Sequence, residues 1–116
     1  MQYALLIYNP DDDVADQAQR TIDPDIAAFL ARPDVTGWIR LHGPGSATTV
    51  QQQEGRTLLT DGPFVDSKEF LGGLVVVEAD NLDGALAVAA ERQQLRPGRI
   101  VAIEVRPIRN ETISGA

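Results

Sequence analysis

The chain contains no cysteine in 116 residues, which removes both a disulfide framework and a thiolate metal site. No stretch approaches the roughly 18 apolar residues of a membrane helix. The opening residues lack the basic flank, apolar core and small-residue cleavage site of a secretory signal. A soluble, cytoplasmic protein is therefore expected, with no membrane partner. Positive charge is also scarce. Ten Lys and Arg stand against 17 Asp and Glu, for a net charge of −7. A nucleic-acid partner is not expected, because displacing counterions from phosphates needs a basic surface. Arg92, Arg96, Arg99, Arg106 and Arg109 thicken the positive charge near the end. They read as a solvated surface balancing Glu91, Glu104 and Glu111. There is no P-loop and no Gly-x-Gly-x-x-Gly nucleotide signature. Asp11-Asp12-Asp13 lacks the alternating ligands, central glycine and closing glutamate of a calcium loop. Nothing in the sequence asks for a cofactor or a metal.

What remains reads as one domain, long enough to bury a core without staples. Gln2 to Tyr8 is a nearly continuous apolar run, as in a central strand covered on both faces. Asn9-Pro10 breaks it, and a polar loop with a frayed turn at Val14 to Gln19 follows. Asp23-Pro24 predicts a helix start with an N-cap aspartate. Ile22, Ile26, Phe29 and Leu30 form its apolar face, and Pro33 ends it. Thr36 to Leu41 reads as a strand, and His42-Gly43-Pro44-Gly45 as a loop. Ala47 to Gln52 and Arg56 to Thr60 read as a hairpin turning at Glu54-Gly55. Phe70 to Ala79 is a buried strand rich in valine. Asp80 or Asn81 caps a second helix with Leu82, Ala85, Leu86, Ala89 and Ala90 as its apolar stripe. Pro97-Gly98 closes that helix. In the last strand, Ile100 to Pro107, Val101, Ile103 and Val105 share a face.

The order is β-α-β, a hairpin, β-α-β. It predicts an α+β fold: a ferredoxin-like split β-α-β with an extra hairpin and both helices on one face of an antiparallel sheet. Apolar residues on both strand faces require a cover for the other side. In so short a chain, that cover is a second copy.

The stretch from Leu58 to Gly73 is the most unusual. Asp61-Gly62-Pro63 is a turn in which the aspartate bonds nearby backbone, the glycine tolerates any φ, and the proline keeps Gly62 extended. Phe64 follows as an apolar anchor. Gly72-Gly73 mark a place where backbone approaches a ligand or a second backbone. Asp61-Gly62-Pro63-Phe64, followed by Asp66-Ser67-Lys68-Glu69, resembles the signature of the DGPF branch of the YCII-related family. Ala47-Thr48-Thr49-Val50 and Glu104-Val105-Arg106-Pro107-Ile108 extend the resemblance over nearly the whole chain. It implies a homodimer whose two sheets close into a dimeric α+β barrel, with a pocket among sheet, Gly-Pro loops and partner. It also implies an association with extracytoplasmic-type sigma factors. The better understood YCII-like proteins are thought to pair an aspartate with a histidine on the first helix. Asp66 matches that aspartate, but Asp23 to Arg32 holds no histidine.

His42 is the lone histidine and the lone side chain with an unperturbed pKa near neutrality. With Asp61 or Asp66 it could move a proton in an elimination or isomerisation. Against this stand a loop histidine bonded to a neighbour and an Asp61 that is only a turn residue. Gly62, Pro63, Phe64, Lys68, Gly72 and Gly73 are the candidate ligand contacts, Lys68 for an anionic group or as a partner of Asp66 or Glu69. Ser67 has no nearby base in sequence to make it a nucleophile. Trp38, Phe64 and Tyr8 read as core or dimer contacts. Three readings follow: a dimer binding a small organic molecule in a sensory or regulatory accessory role; a lyase, isomerase or dehydrochlorinase-like enzyme using His42; or a structural dimerisation module.

Overall fold

A computed structural model of the chain describes residues 1–10, 22–96 and 98–109. Asp11-Asp12-Asp13, the turn expected at Val14 to Gln19 and Pro97 lie outside the described residues. The elements are β1 (Gln2–Pro10), α1 (Pro24–Leu30), β2 (Val35–Arg40), β3 (Thr48–Gln53), β4 (Arg56–Asp61), β5 (Glu69–Glu78), α2 (Leu82–Leu95) and β6 (Ala102–Pro107). The sequence order of strands and helices is thus as expected, and the fold is α+β. Four strands form one antiparallel sheet in the order β2-β5-β1-β6, and β3 and β4 form a separate hairpin.

Strand β1 is central, between β5 and β6, and its side chains alternate strictly. Tyr3, Leu5, Ile7 and Asn9 are buried, while Ala4, Leu6 and Tyr8 are half-buried. Val75 and Val77 of β5 join the buried set, and Leu5 and Val77 are wholly inaccessible. Phe29 of α1 and Ala85, Val88 and Ala89 of α2 close this face. The apolar run of β1 therefore has one face in the core. The other face is not covered by any of the described residues. There Ile39, Leu74 and Leu6 stand side by side in register, beside Val76 and Ala4.

For α2, the expected cap is found and the expected apolar stripe is corrected. Asn81 is the cap, accepting a hydrogen bond from the Gly84 N–H at 3.0 Å. The buried stripe, however, is Ala85, Val88 and Ala89, whereas Leu82 and Leu86 are nearly half exposed and Ala90 is exposed. Leucine and alanine score alike in an apolar pattern, and the choice of face is made by a sheet close enough to demand small residues. Residue 92 continues the buried stripe, being seven positions beyond Ala85. In β6, Ile103 and Val105 turn toward the core, while Val101 precedes the strand and is exposed, its N–H held by the Tyr8 carbonyl at 2.9 Å.

Helix α1 buries Ile26 and Phe29 and ends at Leu30, before Pro33. Asp23 occupies the N-cap position, but its side chain caps nothing. It pairs instead with Arg96 at the end of α2, as does Asp25, at 3.1 Å. These ion pairs join the two helices. The hydrogen bond from Arg96, outweighing the desolvation of the carboxylate, holds Asp25 below its ordinary 3.8. A carboxylate with a depressed folded-state pKa contributes stability above its unfolded value, and that contribution is lost as pH falls through the folded value. Asp25→Asn is therefore expected to be less stable than the natural chain near neutrality, with the difference closing below pH 3.8. Chemical denaturation across that range checks it; a difference that persists in acid would assign the loss to something other than this pair.

The β3–β4 hairpin turns through Glu54 and Gly55, with φ of +52° and +77°. Both central residues are left-handed, the conformation whose twist matches antiparallel strands. Residues of β4 are exposed throughout, and Val50, Leu58 and Leu59 expose 61%, 39% and 71% of their surfaces. The hairpin is an apolar arm with no cover among the described residues.

Candidate functional site

Past the end of β2, Leu41 leaves the sheet with its N–H still bonded to the Gly72 carbonyl at 2.9 Å. His42 and Gly43 follow, and Pro44–Ser46 makes one tight helical turn held by the Ser46 hydroxyl and N–H on the Gly43 carbonyl. The loop after β4 is anchored to this one. The Gly62 N–H bonds the Ala47 carbonyl at 2.8 Å, and the Thr49 hydroxyl bonds the Gly62 carbonyl at 2.8 Å. Gly62 has φ of +100°, so it is not extended before Pro63. Lacking a Cβ, glycine escapes most of the clash that proline imposes on its predecessor. Among the described residues nothing hydrogen-bonds the Asp61 carboxylate, so these backbone contacts hold the turn.

Together the two loops and the end of the sheet border an open cavity of about 1130 Å³. His42, Pro44, Pro63, Val65, Asp66 and Ser67 line it from the loops, and Tyr8, Leu71 and Ala102 from the sheet. Those three sheet residues belong to the face left bare by the helices, so the cavity is continuous with that face. Of the residues singled out in the sequence, His42, Pro63 and Asp66 meet here. Asp61, Gly62, Phe64 and Lys68 are not in the lining. Phe64 is 74% exposed. Among the described residues, no hydrogen bond or ion pair joins His42 to Asp66 or Asp61, and Lys68 pairs with neither Asp66 nor Glu69. Ser67 is occupied locally: its hydroxyl bonds the Glu69 carbonyl at 2.5 Å and accepts from the Glu69 N–H at 3.1 Å.

Tyr8, read from the sequence as a core or dimer contact, is also in the lining. Its hydroxyl donates to Glu104 at 3.3 Å. Burial, and then the charge and hydrogen bond of Glu104, hold the phenol above its ordinary value, keeping it a neutral donor. Period-two alternation through Tyr3, Leu5 and Ile7 would have placed Tyr8 on the opposite face.

Gly72 and Gly73 line a second, smaller cavity of about 100 Å³ on the helix-covered face of the sheet. The close approach read from them is to backbone. A Cβ at Gly73 would lie 2.9 Å from the Ile39 carbonyl oxygen. Gly72 sits where the β1–β5 register slips between Ile7 and Tyr8. Among the described residues no group of three His, Cys, Asp or Glu side chains is placed to hold a metal, and no helix is long and apolar enough to cross a membrane.

A family model of the YCII-related domain matches residues 1–109. The chain belongs to the YCII-related family. An uncharacterized protein of Rhizobium meliloti (strain 1021) is 31% identical to it, over 93% of this chain and 92% of that one. Within this YCII-related chain, the first helix carries Asp25, Ile26 and Phe29 toward Arg96 and the core and offers no histidine to Asp66. The lone imidazole reaches the Asp66 cavity from the loop after β2 instead.

Proposed function

We propose that this YCII-related protein is a homodimer, a ferredoxin-like dimeric α+β barrel of the DGPF branch, that holds a small organic molecule in the cavity between its two Gly-Pro loops. The observation that carries the reading is convergence. Two loops tied by Gly62 to Ala47, and the bare end of the sheet, bound one cavity that is mostly apolar with a few polar groups. Its volume, about 1130 Å³, is somewhat above the roughly 300–1,000 Å³ of small-molecule sites. A second sheet laid over Leu6, Leu74 and Val76 would narrow it and would also bury the exposed arm. An antiparallel sheet can keep one face in water, but such a face is ordinarily polar.

Sedimentation and ligand screening test the two halves separately. The natural chain is expected to sediment as a dimer. Leu74→Glu, central to the bare face and outside the cavity, is expected to give a folded monomer. A natural chain that is monomeric at all concentrations would end the dimer reading. Small-molecule mixtures observed by NMR are expected to perturb His42 and the Pro63 to Ser67 loop. Perturbations scattered elsewhere, with none at these residues, would end the binding reading.

Acid–base turnover by His42 with Asp66 is the second reading, favoured by their shared cavity. It ranks lower because no group among the described residues orients the imidazole, and a general base works through a positioned ring. The accessory role beside an extracytoplasmic-type sigma factor rests on family association, and co-purification of the two proteins is its test.

A further inference from the structure

We propose that the small cavity between α1, α2 and the sheet is an anion site, in which Arg92 binds the carboxylate of a small aliphatic acid. Arg92 extends the stripe Ala85, Val88, Ala89 that buries α2 against the sheet, a position where an apolar side chain is expected. Its Nε and Nη1 are buried, and among the described residues neither has a hydrogen-bond partner. Those two nitrogens carry three N–H donors. A guanidinium withdrawn from water without acceptors is strongly disfavoured, so such groups in native proteins are paired or serve a site.

The neighbouring charges sharpen the point. Arg96 is committed to Asp23 and Asp25, while Arg40 and Arg96 both line the same cavity as Arg92. Burial first, and then the like charges of Arg96 and Arg40, push the Arg92 guanidinium below its ordinary value, and Asp25 offsets only part of this. An anion in the cavity would relieve both penalties. The cavity, about 100 Å³, has room for several waters or one small molecule. Its remaining walls decide the class of anion. Ile7, Ile26, Leu30 and Val75 face it, with Asn9, Trp38 and the Arg96-paired Asp23 also in the lining, and the aliphatic part suits a short hydrocarbon tail better than a hydrated phosphate. The backbone at Gly72 and Gly73 forms part of the wall. The site is on the other side of the sheet from the His42 cavity and does not depend on the dimer.

The test follows the Arg92 Nε–H resonance and the unfolding midpoint of the full chain with isobutyrate, isobutyramide and inorganic phosphate as probes. Isobutyrate is expected to shift the resonance and raise the midpoint, while the isosteric neutral amide does neither. Arg92→Lys keeps the charge but loses the planar fork and is expected to bind isobutyrate at least about tenfold more weakly, the loss of one charged hydrogen bond. Arg92→Met is expected to abolish binding and to raise the midpoint of the ligand-free protein, because it removes two buried guanidinium nitrogens that have no hydrogen-bond partner among the described residues. A purely structural arginine predicts the opposite sign for Arg92→Met. A lower midpoint in Arg92→Met, a silent Arg92 resonance with isobutyrate, or a response to phosphate alone would each overturn the proposal.

Discussion

Replacing Leu5 by alanine is expected to lower the unfolding free energy by about 3 kcal/mol, within the roughly 2–5 kcal/mol range for buried leucine truncations. Leu5 is fully inaccessible. It lies in the central strand, opposite Val75 on one side and Val105 on the other. Backbone pairing on both sides fixes β1 in place, so the neighbours can do little to fill the space left by the missing methyl groups. The cost should therefore combine lost transfer energy with a largely unrelaxed cavity. In a domain of this size, the midpoint would fall on the order of 10 °C. Leu59→Ala is the contrast. That side chain is 71% exposed on the hairpin arm, and truncation should cost under about 0.5 kcal/mol in a monomer. Both variants should be measured over the same series of protein concentrations, since a dimer adds a concentration-dependent term to stability. A Leu5→Ala loss no larger than that of Leu59→Ala would contradict the core as drawn. A sizeable Leu59→Ala loss that grows with concentration would mean that the arm is buried by a partner.

The contrast between Leu5 and Leu59 marks how far pattern alone can reach. Strand β1 was legible because Tyr3, Leu5 and Ile7 alternate with residues nearly as apolar, and both sets announce extended structure. Which set is covered by helices is a tertiary matter, and the run by itself says only that both faces avoid water. The hairpin was legible from Glu54-Gly55 although that pair is a weak turn signal, because two strand-forming runs flank it. Helix α2 was legible as a helix, but its face was not. Leu82 and Leu86 have the larger apolar side chains, yet the sheet takes Ala85 and Ala89, which let the helix approach. The same misplaced face concealed Arg92, which reads as a solvated charge until the stripe is extended to it. At the candidate site, His42 and Asp66 were legible as chemistry-bearing residues in loops. Their shared cavity depends on the Gly62–Ala47 hydrogen bond, a long-range contact with no sequence signature. Asp61 looked equivalent to Asp66, but the turn carries it away from the cavity lining.

Gly73→Ala is expected to cost about 2 kcal/mol, in the roughly 1–3 kcal/mol range of overpacking. The added methyl carbon would meet the Ile39 carbonyl oxygen at 2.9 Å, and that atom belongs to the backbone of β2. A crowded side chain can change rotamer, but this oxygen can yield only by moving the strand. Strand β2 is an edge, bonded on one side to β5, so the strain should appear as local opening between Ile39–Arg40 and Leu74–Gly73. Gly37→Ala, in the same strand, separates this from a general effect of removing glycine. Nothing lies within 4 Å of a Cβ there, and its φ is not in the left-handed region. Alanine at that position should be neutral or stabilising by a few tenths of a kcal/mol, through the less flexible unfolded chain. Hydrogen exchange should then show faster exchange at the Leu41 N–H, which bonds the Gly72 carbonyl, in Gly73→Ala but not in Gly37→Ala. Because Leu41 leads directly into His42, loosening this contact would also displace one wall of the larger cavity. Ligand perturbations at His42 should weaken in Gly73→Ala, although the residue itself lies on the other side of the sheet. Equal stability and equal exchange in the two variants would mean that β2 and β5 do not approach so closely in solution.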